Sequence, residues 1–350
     1  MPSRRNRSKT ALITAGSHSI QRAPGLALPT PVYPFRLGAA AEHAELWVKD
    51  DGAIHPLYGG NKARKLHAVL ATLAAAPPRR ILTFGAAGSH HVLATALFAG
   101  LAGIPVQAVL LPEPHTEHVE ATFRALIGQG IAIEPALSKA RALRAFLRSY
   151  RRGDQVLGPG GAGVPATLAY VDAARELERQ VTEGALPPPD EIVVALGSGT
   201  TAAGLLVGLA STRLTSRVIA VQVIGGSLSR ATTLGLAWRA ARSLGLRNTG
   251  GLAERLTVER GELGSGYGLP TPSSEGASRR GADAGLSLDP TYTAKAFAHA
   301  LARAERGPAG RVVLYWHTLS SLPLAPLLAG SPKLAELEPR LRQLLRPIRR

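Results

Sequence analysis

The chain has 350 residues, 45% of them hydrophobic, enough for one large core or two moderate ones, and no apolar run of ~18 residues marks a membrane span. Lysine and arginine outnumber aspartate and glutamate 41 to 24, a formal charge of +17, yet aromatic residues are only 5%. No zinc spacing, RNP-like motif or helix-turn-helix accompanies that charge, and the chain has no cysteine, so a nucleic-acid partner, a disulfide framework and thiol catalysis are all excluded.

Much of the excess charge lies in two tails, Arg4 to Arg22 and Arg340 to Arg350, which read as solvated ends; residues 1–25 are expected to form a disordered basic tail. The amino-terminal apolar stretch is too short for a secretory h-region. A cytoplasmic location follows, with an organellar transit peptide as the alternative because no acidic residue precedes Glu42.

In chain order, Leu28-Pro29-Thr30-Pro31 is an extended, proline-stiffened lead-in, and Glu45 to Lys49 a short strand. A helix follows, with Asn61 as its N-cap and Leu66, Val69, Leu70 and Leu73 at helical spacing. Strands then alternate with helices: 81–84 with a helix from Val92, 106–111 with a helix over Glu117 to Ile127, and 131–135 with a helix over Ala140 to Tyr150. A Gly/Pro-rich break at 157–165 precedes a helix of about 17 residues from Ala166. A second series runs from the strand 191–196 through a helix from Thr200, a strand 217–224 and a helix over Thr232 to Leu244. Gly261 to Gly285, rich in Gly, Ser and Pro, reads as a loop; a helix over Tyr292 to Ala304, a strand 312–316 and a charged closing helix complete the chain. Strand-helix alternation of this length predicts an α/β protein of two lobes with mostly parallel sheets.

Three stretches carry candidate chemistry. Lys62, Arg64 and Lys65 crowd the opening turn of a helix, where the dipole is already positive, so the arrangement asks for a bound anion. Such crowding also lowers a lysine pKa and suits attack on a carbonyl; the alternative is a basic helix start with its side chains in water. Gly197-Ser198-Gly199-Thr200-Thr201, between a strand and a helix, has the form of a phosphate cup, but lacks both the P-loop ending and the GxGxxG spacing of a dinucleotide site. Gly85-Ala86-Ala87-Gly88-Ser89-His90-His91 is a second such turn. Adjacent histidines at a helix start diverge and no carboxylate cluster joins them, so no metal is expected.

The segments LWVKDD (46–51), GGNKARKL (59–66), GSHH (88–91), GPGGAG (158–163) with Tyr170 after it, GSGTTAAGL (197–205), GYG (266–268), DPTYTAKA (289–296) and WHT (316–318) stand in an order that resembles the D-cysteine desulfhydrase and 1-aminocyclopropane-1-carboxylate deaminase family. These are pyridoxal-phosphate enzymes of the tryptophan-synthase-β type, and the likeness runs from about Leu28 to about Pro323. It implies that fold, with a large domain of 26–65 and 173–350, a small domain of 66–172, a homodimer, and pyridoxal 5'-phosphate as cofactor. Lys62 resembles the Schiff-base lysine and Lys65 a phosphate-contacting lysine, with Asn61, Thr318 and the loop Gly197, Ser198, Gly199, Thr200 and Thr201 also at the cofactor. Ser89 resembles the substrate-carboxylate residue, flanked by His90 and His91, while Tyr267 and Tyr292 resemble the two tyrosines facing the substrate. Tyr292 could equally be a core tyrosine, and Thr318 an N-cap.

Two departures stand out. His90 replaces an asparagine that touches the cofactor's ring oxygen, and His317-Thr318-Leu319-Ser320 replaces HTGG. Threonine at 293 and 318 resembles the desulfhydrase branch, which implies β-elimination from a small amino acid such as D-cysteine to a keto acid and ammonia, Lys62 or a tyrosine taking the Cα proton. Cyclopropane-carboxylate deamination and amino-acid racemisation are the alternatives within the family. A non-catalytic basic binding protein on a degenerate scaffold is the alternative outside it.

Overall fold

The computed structural model describes residues 25–37, 44–226, 229–246 and 249–347; the basic amino-terminal tail lies outside them. Two sheets organise the chain. The larger begins with β1 (Val32–Phe35) and β2 (Ala44–Asp50), paired antiparallel, after which α1 (Gly60–Leu73) leaves for the other lobe. There the chain forms β3 (Arg80–Ala86), α2 (His90–Leu101), β4 (Val106–Leu111), the short β5 (Glu113–Pro114), α3 (Glu117–Ile127), β6 (Ala132–Pro135), α4 (Lys139–Ser149) and β7 (Asp154–Leu157). It returns through α5 (Val164–Thr182) to β8 (Glu191–Leu196), α6 (Thr200–Leu209), β9 (Arg217–Gln222), α7 (Ser229–Ser243), β10 (Leu256–Glu259), α8 (Pro272–Asp283), α9 (Thr293–Arg306) and β11 (Arg311–His317). The last elements are the four-residue turns α10 (Ala325–Leu328) and α11 (Pro339–Arg342), then β12 (Leu345–Arg346).

The large sheet has the order β1-β2-β11-β8-β9-β10, parallel apart from the first pair, and the small sheet β6-β4-β3-β7 is parallel throughout. Strands covered on both faces read as unbroken apolar runs, and β8 and β11 do so, with Ile192, Val193, Val194 and Val313 to Trp316 at zero exposure. Insertion of β11 between β2 and β8 brings its carboxyl end, at His317 and Thr318, beside Asp50 and the start of α1.

Four expectations need correction. The helix over 60–73 begins before Asn61: its N-cap is Gly59, Gly60 takes φ +73°, and a Cβ on Gly60 would stand 2.4 Å from the Thr318 carbonyl oxygen. The N–H groups of Gly60 and Asn61 are satisfied by the carbonyls of Asp51 and Thr318, at 2.8 and 3.0 Å, so the helix start is docked on backbone and needs no side-chain cap. Arg64 does not face an external anion; it points into the interior, 2.7 Å from Asp51 and 3.0 Å from Glu176. The stretch Gly261 to Gly285 contains α8, whose Thr271 accepts from Ser274 N while Ser274 Oγ accepts from Thr271 N, a capping box followed by proline at the first helical position. The charged closing helix is only the four residues of α11, after which Leu345 and Arg346 pair with Glu113 and Pro114.

The Arg64 cluster fixes the lobes relative to the site. Lys49 meets Glu176 at 2.5 Å, and Tyr170 Oη and Trp316 Nε1 donate to Asp51 at 2.7 and 2.9 Å. Thr30 donates to both carboxylates, so the lead-in, β2, α1, α5 and β11 converge on one buried network. Residues 62 and 65 share a helix face that 64 does not, and anchoring Arg64 inward therefore turns Lys62 and Lys65 toward the cleft.

Candidate active site

One cleft at the carboxyl ends of β3, β8 and β11 gathers the residues named above as site candidates, apart from Arg64. From α1 come Asn61, Lys62 and Lys65; from the start of α2, Ser89, His90 and His91; from the turn before α6, Gly197 to Thr201. Tyr267, Tyr292 and Thr318 close it on the remaining side.

The two lysines are the unusual feature. No hydrogen bond or ion pair reaches either ammonium among the described residues, although Lys65 is 3% exposed. Burial lowers Lys62 to about 8, partly opposed by Asp289, and lowers Lys65 further, with Lys62 adding to the effect. A buried cation without an anion is costly, so the position calls for a bound negative group. Across the cleft, α6 begins with Gly199 at φ +82° and no side-chain cap, which leaves its first N–H groups available. A Cβ on Gly199 would stand 2.5 Å from Thr233 Oγ1 at a φ of +82°, so that glycine cannot be replaced without strain, and one on Gly197 would stand 3.1 Å from the Tyr292 ring, which would have to give by a few tenths of an ångström. Ser198 Oγ lies 3.0 Å from Thr200 Oγ1, and Asn61 Nδ2 donates weakly to Thr201 Oγ1 at 3.4 Å. Lysines and loop together fit a phosphate-bearing cofactor with an aldehyde near Lys62.

Tyr267 and Tyr292 meet hydroxyl to hydroxyl at 2.8 Å, their rings edge to face. Burial raises both phenols, so both stay protonated and serve as hydrogen-bond donors. Ser89 caps α2, accepting from Val92 N at 3.3 Å. His91 turns back into the protein, Nε2 2.9 Å from Thr83 Oγ1, and burial lowers it to about 3. His90 has Tyr58 on Nδ1 and His118 on Nε2, so no ring nitrogen is left for a cofactor oxygen. Thr293 donates to Asp289 Oδ2 at 2.6 Å. Ser320 in the altered HTLS segment accepts from Gly59 N at 2.9 Å, so this departure serves the docking of α1.

Sequence reasoning missed three participants. Asp289 is 2% exposed and accepts from the backbones of Thr291, Tyr292 and Thr293, which sets Tyr292 in place; burial pushes its carboxyl up, but His90 and Thr293 outweigh this and hold it low. An Asp-Pro pair ahead of a helix was the available signal. Tyr58 and His118 carried none, since only the tertiary fold brings them to His90. Among the described residues no three side chains form a metal-holding group, and no helix is long and apolar enough to cross a membrane.

A parallel two-lobed scaffold whose cleft presents an unpaired lysine amine opposite an uncapped helix start defines an enzyme that works through a phosphorylated carbonyl cofactor. Comparison identifies which: residues 25–318 match the family of pyridoxal-phosphate dependent enzymes, and the chain belongs to it, with pyridoxal phosphate as cofactor. Nocardicin C-9' epimerase of Nocardia uniformis subsp. tsuyamanensis is 35% identical over 321 residues, covering 87% of this chain and 94% of that protein. D-cysteine desulfhydrase of Klebsiella pneumoniae is 30% identical over 302 residues, covering 80% and 88%. A solved structure of an ACC deaminase homologue superposes with TM-score 0.73 at 27% identity, over 88% of this chain and 96% of that one.

Proposed function

We propose that the enzyme removes the Cα proton of a small amino acid and expels its β-substituent, as a D-cysteine desulfhydrase-like lyase that yields a keto acid and ammonia. The observation that carries this reading is the Lys62 amine, unpaired among the described residues in a cleft it shares with Ser89, Tyr267 and Tyr292; burial lowers it to about 8, so about a tenth of it is neutral at pH 7. Lys62 would hold the cofactor aldehyde, and Lys65 with the Gly197 to Thr201 loop the phosphate. Bound there, the cofactor supplies an electron sink for the charge left at Cα. Lys62 then acts as the base at Cα, Ser89 and the N–H groups behind it hold the substrate carboxylate, and the Tyr267–Tyr292 pair donates a proton to the departing β-group. Thr318 lies at the end of β11 and would present a neutral hydroxyl to the ring nitrogen.

A second reading, epimerisation at Cα, is favoured by the 35% identity to the nocardicin epimerase and by Thr293, whose hydroxyl is spent on Asp289 and does not read the substrate directly. A panel of D- and L-cysteine, β-chloroalanine, serine and the cyclopropane acid separates the two. Elimination predicts keto acid from the cysteine and chloroalanine members and weak ring opening. Cα deuterium exchange without keto acid would overturn it in favour of epimerisation. The same reading takes residues 66–172 as the small domain, with homodimeric assembly in the cytoplasm, checked by limited proteolysis, sedimentation and fractionation.

A further inference from the structure

A line of hydrogen bonds leads out of the cleft through His90 and two groups outside the motifs listed above, Tyr58 and His118. Tyr58 Oη lies on His90 Nδ1, and His90 Nε2 is 2.7 Å from His118 Nε2. Tyr58 precedes α1 and is 2% exposed, His90 opens α2, and His118, near the start of α3, is half-buried. Among the described residues, neither the Tyr58 hydroxyl nor the His118 ring has another hydrogen-bond partner. Nε2 facing Nε2 means that one imidazole donates while the other accepts, so the pair shares one proton across that contact.

We propose that Tyr58, His90 and His118 form a proton conduit between the catalytic cleft and solvent. This rests on the reading that a Cα proton is moved in the cleft. In one state His118 donates from Nε2 to His90, and His90 donates from Nδ1 to Tyr58. A proton taken from water at His118 Nδ1 lets His118 pass its Nε2 proton to His90, His90 pass its Nδ1 proton to the Tyr58 oxygen, and Tyr58 release its own hydroxyl proton into the cleft. One proton enters, one leaves, and every hydrogen bond in the line is reversed. Running backward, the same line carries a proton from the cleft to water. A purely structural link needs one fixed donor and one fixed acceptor. Three groups in series, each able to do both, with one end in the cleft and the other half-exposed, are what transfer requires. The charged groups facing the line are Lys62 from α1 and Asp289 from the segment before α9. Burial, with His118 adjacent, lowers His90 to about 3, so His90 passes protons without storing one.

The test uses the full-length holoenzyme and alanine, which has no leaving group, followed by proton NMR in heavy water. His118→Gln keeps a hydrogen bond to His90 but cannot pass a proton, so Cα exchange should fall by about a hundredfold while cofactor absorbance and alanine affinity stay as in wild type. Tyr58→Phe, which keeps the ring, should show the same loss and replaces the first variant if that one does not fold. Exchange at the wild-type rate in either folded variant overturns the conduit. If the wild-type protein exchanges no Cα proton, the functional reading fails, and imidazole nitrogen NMR decides the conduit separately. The conduit requires both His90 tautomers, so the two ring nitrogens of His90 should report exchange between the Nδ1–H and Nε2–H forms, and a single fixed His90 tautomer overturns the proposal.

Discussion

At the scale of single residues, the two lysines three positions apart divide the work by what surrounds them. Lys65 has the Tyr170 ring at 5.6 Å and no ion-paired anion among the described residues, so its amine is free to meet phosphate, whose charge would hold it protonated. Lys65→Ala should cost cofactor binding about 1.5–3 kcal/mol, roughly a tenfold to hundredfold rise in Kd by equilibrium dialysis, and an unchanged Kd would remove this role. Lys62, lowered to about 8 from 10.5, gains neutral amine as pH rises. The rate at which apoenzyme develops the yellow absorbance of bound cofactor should therefore climb as pH rises through 8 and level off above it. A rate flat across that pH would contradict the assignment. These positions were legible because GGNKARKL is local in the chain. His90 was legible as a departure but its role was not, because both of its partners come from other elements.

At the scale of elements, the hydrophobic alternation gave the long strands and helices of both lobes, since β3, β4, β8, β9 and β11 are buried on both faces. It missed β1, β7 and β10, which are four residues each and only partly buried, a length at which the period is weak, although β6, equally short, was found. α8 was hidden by glycine and serine, yet Gly281 has a packing reason, since a Cβ there would stand 2.8 Å from Leu288 Cδ1. The buried network around Arg64 is the element-level support of the site. Removing Glu176 leaves Lys49 and Arg64 short of a partner in an interior that excludes water, so Glu176→Ala should lower stability by about 3–5 kcal/mol in urea unfolding. Burial pushes Asp51 and Glu176 up, but Arg64, joined by Lys49, outweighs it and holds both carboxyls below their ordinary values of 3.8 and 4.5. Their folded values thus lie below the unfolded ones, so the stability they contribute is fully present above the ordinary carboxylate range and is lost as pH falls through the folded values. Glu176→Ala should flatten that acid limb; an unchanged limb would place the titration elsewhere.

At the scale of the molecule, the chain crosses from one sheet to the other and back, and residues 344–346 return to the small sheet's lobe. Leu344, with no exposure, joins the core of Leu93, Phe123 and Leu126, and its carbonyl accepts from Glu113 N, while Glu113 Oε2 accepts from Gly88 N in the turn before α2. Leu344→Ala should cost about 2–5 kcal/mol of stability, read by thermal or urea unfolding, and an effect below that range would show this end to be peripheral. A charged closing helix was expected there, because charge is visible in the sequence whereas pairing with β5 is a long-range contact.

The central claim is that Lys62 is the residue joined to the cofactor. Borohydride reduction of the yellow holoenzyme followed by peptide mapping should find the pyridoxyl group on the peptide containing Lys62, with Lys62→Ala folded but colourless and inactive. A label on Lys65 or any other lysine, or a wild-type protein that binds no cofactor, would contradict the account.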